Sequence, residues 1–237
     1  MWKRSFDPKA AAGRAVSAAV RAVGDRLVGA TLYGSAAGGD FLSAHSDVNV
    51  AFVFSALGPE ELEALRPAHR VWQRSRVTRP LLLSREGLSR SIDVFPLEYL
   101  LIRERHETLH GEDCFGNIEI DRNALSRAIE RSLRAQEMGL AWTYIALAGT
   151  PSGARHWAGR AGTAIAVAAS GLLHLAGEPI PQTRRELTER CAALFGIERE
   201  SLRGLLERGS EARDRVEATR LLNSAQRILT RLTEAAD

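Results

Sequence analysis

The spacing of apolar positions changes character near residue 120 of the chain. Before that point short apolar runs alternate with helical patterns. Residues 8–25 carry Val16, Val20 and Val23 at helical spacing, and Pro8 suits a first helical turn. Residues 28–33 read as a short buried strand that stops at Gly34-Ser35. A Gly-rich connection leads to VNVAFVF at 48–54, rich in β-branched and aromatic residues and the strongest strand signal in the chain. Residues 59–74 read as a helix presenting Leu62, Leu65, His69 and Trp72, with Pro67 interrupting its middle. Residues 81–83 and 91–95 read as two further short strands, and 97–105 as a helix following Pro96. LHGEDCFGNIEID, residues 109–121, is turn-rich and lacks periodicity, so the domain boundary is placed there.

From Ala124 onward only helical spacing is found. Residues 124–148, 155–176, 184–195 and 211–235 form four long patterns, with a shorter one at 198–207. GTPSG, GEPIPQT, Gly196 and Gly209 separate them. Two stripes, Trp142-Ile145-Ala148 and Trp157-Ala161-Ala164-Ala168-Leu172, have the spacing of core faces. A side role for Trp142, Tyr144, His156, Trp157 and Arg160 in lining an acceptor pocket is the less common use of such residues. The arginines between Arg184 and Arg220 read as solvated faces with i,i+4 partners. The expected architecture is α+β: a short mixed sheet with flanking helices over 1–120, then an all-α bundle over 121–237.

Composition narrows the class. With 237 residues, 45% hydrophobic and 26% charged, the chain is expected to fold as a soluble globule. A formal charge of +3 and a pI near 9.2 are too mild to imply a polyanionic partner. Cys114 and Cys191 stand far apart, which argues against a disulfide framework or structural zinc and fits a reducing cytoplasm. MWKRSFDP has no apolar core behind its basic residues, so no signal peptide is expected. The most apolar stretch, 161–173, is interrupted by Thr163, Ser170 and Gly171. It falls short of the ~20 residues a membrane span needs.

The chemistry gathers in LYGSAAGGDFLSAHSDVNVAFV (32–53) and SIDVFPLEY (91–99). Gly34 lets a ligand approach the backbone, and Ser35 offers a hydroxyl and an N–H where a helix would begin, a natural phosphate site. Strand alternation sets Asp47 and Asn49 on one face, with Val48 and Val50 on the other. Asp93, flanked by Ile92 and Val94, is expected to sit similarly on its own strand. Three oxygen-bearing side chains converging at strand ends would suit Mg²⁺, which shares protein carboxylates with substrate phosphates.

This arrangement resembles the DNA polymerase β-like nucleotidyltransferase superfamily, whose pattern is a Gly-Ser pair, a spacer, an Asp-x-Asp strand and a later third acid. Gly34-Ser35, Asp47, Asn49 and Asp93 fall on these positions, and the two-part layout is similar to small bacterial nucleotidyltransferases and aminoglycoside adenylyltransferases. RERHETLHGED (103–113) is similar to the linker of those proteins. The resemblance implies an N-terminal nucleotidyltransferase fold that takes an NTP, ATP first, with Mg²⁺ and passes the nucleoside monophosphate to a hydroxyl. Gly34 and Ser35 would bind nucleotide, Asp47, Asn49 and Asp93 would hold metal, and Asp47 and Asp93 would carry catalysis. The acceptor is open between a small molecule, a protein and an RNA end. No membrane partner is expected, and the pattern leaves the oligomeric state open.

Asn49 departs from the family, which has a carboxylate there. A neutral amide supplies an oxygen but no charge, so the two-ion site is weakened. The alternative is a catalytically impaired, nucleotide-binding or antitoxin-like regulatory protein. Asp40, Glu98 or a carboxylate of the helical half could supply the missing charge. His45, Asp40 and Glu98 otherwise read as a loop histidine, a turn residue and a first-turn helix acid. The helical half resembles the HEPN group only in layout. It holds no Arg followed four to six residues later by His, which disfavours ribonuclease activity.

Overall fold

The structure, a computed structural model, describes residues 6–38, 41, 47–147, 151–207 and 214–236. The chain divides into two compact units at Ile120/Asp121.

In the first unit, α1 (Pro8–Val23) starts on Asp7, whose carboxylate accepts from the N–H groups of Lys9 and Ala10 at 3.0 and 3.1 Å. Its buried face is mostly alanine (Ala11, Ala12, Ala15, Ala18, Ala19), so the helix lies close on its neighbours. β1 (Leu27–Tyr33) follows a 3₁₀ turn, and the one-turn helix α2 (Ser35–Gly38) begins directly after Gly34. β2 (Asn49–Phe54) then pairs antiparallel with β1, Tyr33 opposite Asn49.

The helical pattern over 59–74 is broken as Pro67 foretold, into α3 (Pro59–Leu65), a 3₁₀ turn at Arg66–Ala68 and α4 (His69–Arg74). The break changes the buried face. Leu65, Ala68 and Trp72 point inward, whereas Leu62 and His69 of the expected face are exposed. Trp72 stacks on Phe52 at 5.3 Å between ring centroids, and its indole N–H donates to the Ala15 carbonyl at 3.1 Å.

β3 (Leu81–Ser84) runs parallel to β2, and α5 (Arg85–Ser91) and α6 (Pro96–Glu104) follow. The strand expected at 91–95 is absent. Ser91 ends α5, and Ile92–Phe95 form the turn into α6. The Ser91 hydroxyl bonds back to the carbonyl of Gly87, and the N–H of Phe95 bonds to that of Ser91. Val94 and Phe95 are half exposed. A short apolar run with no strand beside it takes the local helical and turn bonds instead.

The reverse error concerns 106–111. This stretch reads as an irregular linker, yet His106–Gly111 is β4, paired antiparallel with β1. It is an edge strand, half-buried from His106 to His110, so its histidines and Glu107 hide the alternation a central strand would show. The sheet order is β3-β2-β1-β4. Leu32, Val50, Phe52 and Phe54 pack one face against α1 and Trp72. Ala51 and Val53 pack the other against Leu88, Tyr99, Ile102, Phe115 and Ile118.

The second unit holds α7 (Arg122–Leu147), α8 (Pro151–Leu175), α9 (Arg184–Phe195), α10 (Arg199–Glu207) and α11 (Arg215–Ala236). Leu125, Ile129 and Leu133 of α7, Ile165 and Leu173 of α8, Leu202 of α10, and Leu222, Leu229 and Leu232 of α11 are buried. The α8 stripe lies inward as its spacing implies, with Trp157, Ala161, Ala168 and Leu172 buried. The α7 stripe does not. Trp142 is 70% exposed and Ile145 79%, because the buried line of α7 passes through Leu133 and Leu140 instead. Ala148 lies outside the described residues. Among those described, no helix is long and apolar enough to cross a membrane.

Candidate functional site

Register builds the site. Tyr33 and Asn49 face each other at the end of the β1–β2 ladder, so the next residues outward are Gly34 and Ser35 on one strand and Val48 and Asp47 on the other. Gly34 holds φ +74°, a left-handed conformation that glycine adopts without strain. A Cβ there would stand 3.0 Å from the Asn49 side-chain nitrogen, so Gly34 and the Asn49 amide are in close approach. The Gly34 carbonyl accepts the N–H groups of Ala37 and Gly38, and its own N–H donates to the Arg105 carbonyl at 3.2 Å. The strand-to-helix turn is thereby anchored to the residue just before β4. α2 opens at Ser35, where the first amides of a helix lack intrahelical acceptors and can meet an anion.

Across the ladder, Val48 is buried and donates its N–H to the Arg76 carbonyl at 3.0 Å. That fixes the entry to β2 and leaves the Asp47 side chain exposed. Asp47 accepts a hydrogen bond from the Thr78 hydroxyl at 3.2 Å. Neither Arg76 nor Thr78 was singled out by the sequence. Both lie in the 75–80 connection into β3, which has no periodicity to mark it. The signal was topological: a parallel neighbour of β2 must enter the sheet at the same end as Asp47. Arg76 is held at φ +60°, with its guanidinium 4.7 Å from the Phe6 ring centroid, over a Phe6–Phe41 stack. Beside Asn49, burial raises the Tyr33 phenol above its usual value.

Four of the five residues read from the sequence, Gly34, Ser35, Asp47 and Asn49, therefore lie at one end of two paired strands, with Gly34 and Asn49 in close approach. Asp93 is placed differently from expectation. It stands exposed in the α5–α6 turn, with Ile92 beside it packed on the Ala51/Val53 face. By alternation that is the face of Asn49 and Asp47. No described contact ties Asp93 to either residue. Among the described residues no three His, Cys, Asp or Glu side chains are grouped to hold a metal. Glu98 is exposed in the first turn of α6, in keeping with a first-turn acid. Asp40 and His45 lie outside the described residues.

No protein-family model matches the sequence, and no curated protein matches it. A solved structure does: spectinomycin adenyltransferase AAD(9) from Enterococcus faecialis, with ATP and spectinomycin. Its TM-score is 0.56 at 13% identity, over 92% of this chain and 96% of that one. The fold is similar to that of this adenyltransferase. At this identity the likeness is one of architecture, a mixed sheet with flanking helices followed by a helical region.

Proposed function

We propose that the protein is a nucleotidyltransferase that moves a nucleoside monophosphate from an NTP, ATP first, to a hydroxyl of a small molecule. The observation that carries this reading is the close approach of the Gly34-Ser35 turn to Asn49, which opens the adjacent strand just after Asp47. The fold-level match to an enzyme solved with ATP and spectinomycin supports both the nucleotide and a small-molecule acceptor. Cytoplasmic residence is part of the same proposal.

The donor set bears on the metal. Asp47 offers one carboxylate, steadied by Thr78, and Asn49 one neutral oxygen. Mg²⁺ is commonly held by one or two carboxylates plus substrate phosphates, so these residues fit a single ion arriving with the nucleotide. They do not fit a two-ion cluster by themselves. Such an ion would supply neutralisation of phosphate charge. Ser35 and the first amides of α2 orient the β- and γ-phosphates. The acceptor oxygen forms its bond to the α-phosphorus as the bond to the β-phosphate oxygen breaks, and pyrophosphate leaves with those electrons. Asp93 is assigned the acceptor side, taking the hydroxyl proton. Positioning supplies most of the rate.

Asn49 favours a second reading, a nucleotide-binding regulatory module. Pyrophosphate release from labelled NTPs with Mg²⁺ or Mn²⁺, over a panel of aminocyclitol, aminoglycoside, protein and RNA acceptors, separates the two. Turnover with a small-molecule acceptor, reduced at least ~100-fold in Asp47→Ala, upholds the enzyme. Nucleotide binding without turnover, in both the native chain and Asn49→Asp, establishes the module.

A further inference from the structure

The second unit contains a cavity of about 210 Å³ lined by Arg185, Thr188, Glu189, Arg199 and Arg203. Its walls follow from helical spacing. Arg185, Thr188 and Glu189 stand at i, i+3 and i+4 on α9, and Arg199 and Arg203 at i and i+4 on α10. Gly196, in the left-handed conformation, ends α9, and the buried Ile197 turns the chain into α10, so the two stripes face each other. The Arg184 guanidinium donates to the Leu206 carbonyl and holds the far end of α10 against the start of α9.

The charges in this cleft do not cancel. Glu189 pairs with Arg199 at 2.7 Å, and Glu200, outside the lining, pairs with Arg203 at 2.6 Å. The Thr188 hydroxyl is buried and committed to the Arg184 carbonyl at 2.9 Å. Among the described residues Arg185 has no ion pair or side-chain hydrogen bond, and it lines the cavity as a surplus cation. The whole of the chain's formal +3 resides in residues 121–237, where arginine supplies every side chain counted as cationic.

The geometry points to a binding site for a phosphate group in the α9–α10 cleft, apart from the nucleotide site of the first unit. Three arginines line one small volume, and planar guanidinium forks match the oxygens of a tetrahedral oxyanion. Arg185 provides the uncompensated charge, and the Glu189 and Glu200 pairs hold Arg199 and Arg203 in place. The ligand is a compact phosphate, free or carried by a small metabolite, for which the cavity has room.

Equilibrium dialysis of the full chain with radiolabelled inorganic phosphate, without divalent ions and with chloride holding the ionic strength constant, tests the site. One equivalent is expected to bind, with affinity reduced about tenfold in Arg185→Gln and in Arg203→Gln. Binding should be unchanged in Ser35→Ala and Asp47→Ala. Arg185 is exposed, so its variant keeps the native helical circular dichroism and melting temperature. Unlabelled glycerol phosphate should displace the label and acetate should not. Equal binding by the native chain and both arginine variants would overturn the site. So would loss in Ser35→Ala alone, which assigns the anion to the other unit, and so would phosphate no more effective than chloride.

Discussion

Asn49 is the residue on which the proposed activity turns. Its amide lies beside Gly34 and its oxygen carries no formal charge, leaving Asp47 as the carboxylate on this strand. Asn49→Asp is expected to tighten Mg²⁺ binding and raise turnover by about tenfold, since a full negative charge replaces a dipole. Mn²⁺ titration and pyrophosphate release measure the two effects. Gly34→Ala acts in the opposite direction. It imposes a side chain at φ +74° with its Cβ 3.0 Å from the Asn49 nitrogen. A loss of about 1–2 kcal/mol in urea unfolding is expected, together with weakened nucleotide binding. Cys191 reports through pH. Burial pushes its thiol from 9.0 up to about 12. The folded pKa is raised, so the contribution is complete below pH 9.0 and is lost as pH climbs toward about 12. Urea midpoints followed across that window should fall more steeply in the native chain than in Cys191→Ala.

At the level of elements, the sheet is wedged between two unlike layers. On the α1 side, alanines bring the helix close and Trp72 fills the remaining space against Phe52. Trp72→Ala removes the stacked ring and the indole bond to Ala15 and opens a cavity. The expected cost is about 3–5 kcal/mol in thermal or denaturant unfolding. The other layer ends in the turn that carries Asp93, and β4 closes the opposite edge of the sheet on the strand that delivers Gly34. Two tight glycines make that closure possible. At Gly111, φ is +66° and a Cβ would fall 2.0 Å from the Val28 carbonyl oxygen, and at Gly29 one would fall 2.5 Å from that of Glu112.

In the whole molecule, each unit has its own core. Residues 1–120 hold the sheet and the Gly34 turn, while the helical unit is packed around buried residues of α7, α8, α10 and α11. A unit with an independent core is expected to fold alone. A fragment of residues 121–237 should therefore show helical far-ultraviolet circular dichroism and a cooperative thermal transition. A featureless melt would show that its helices depend on the first unit.

Much of this was legible in the linear pattern. VNVAFVF has too many β-branched and aromatic residues to be anything but a central strand. The helical unit declares itself by uninterrupted 3.6-residue spacing. The placing of Gly34, Ser35, Asp47 and Asn49 at a strand end was legible because a turn and the start of a strand are local events, written by neighbouring residues. What local pattern could not settle depends on partners distant in the chain. Residues 91–95 lack a strand beside them and coil into a turn, while 106–111 gain β1 and become one. Trp142 and Ile145 have the spacing of a core face, but the packing of α7 turned a different line of residues inward. Thr78 and Arg76 support the site only because β3 enters the sheet parallel to β2. Periodicity tells which residues share a face. Only the assembled sheet and bundle tell what that face meets, because burial and hydrogen bonding are properties of pairs of elements.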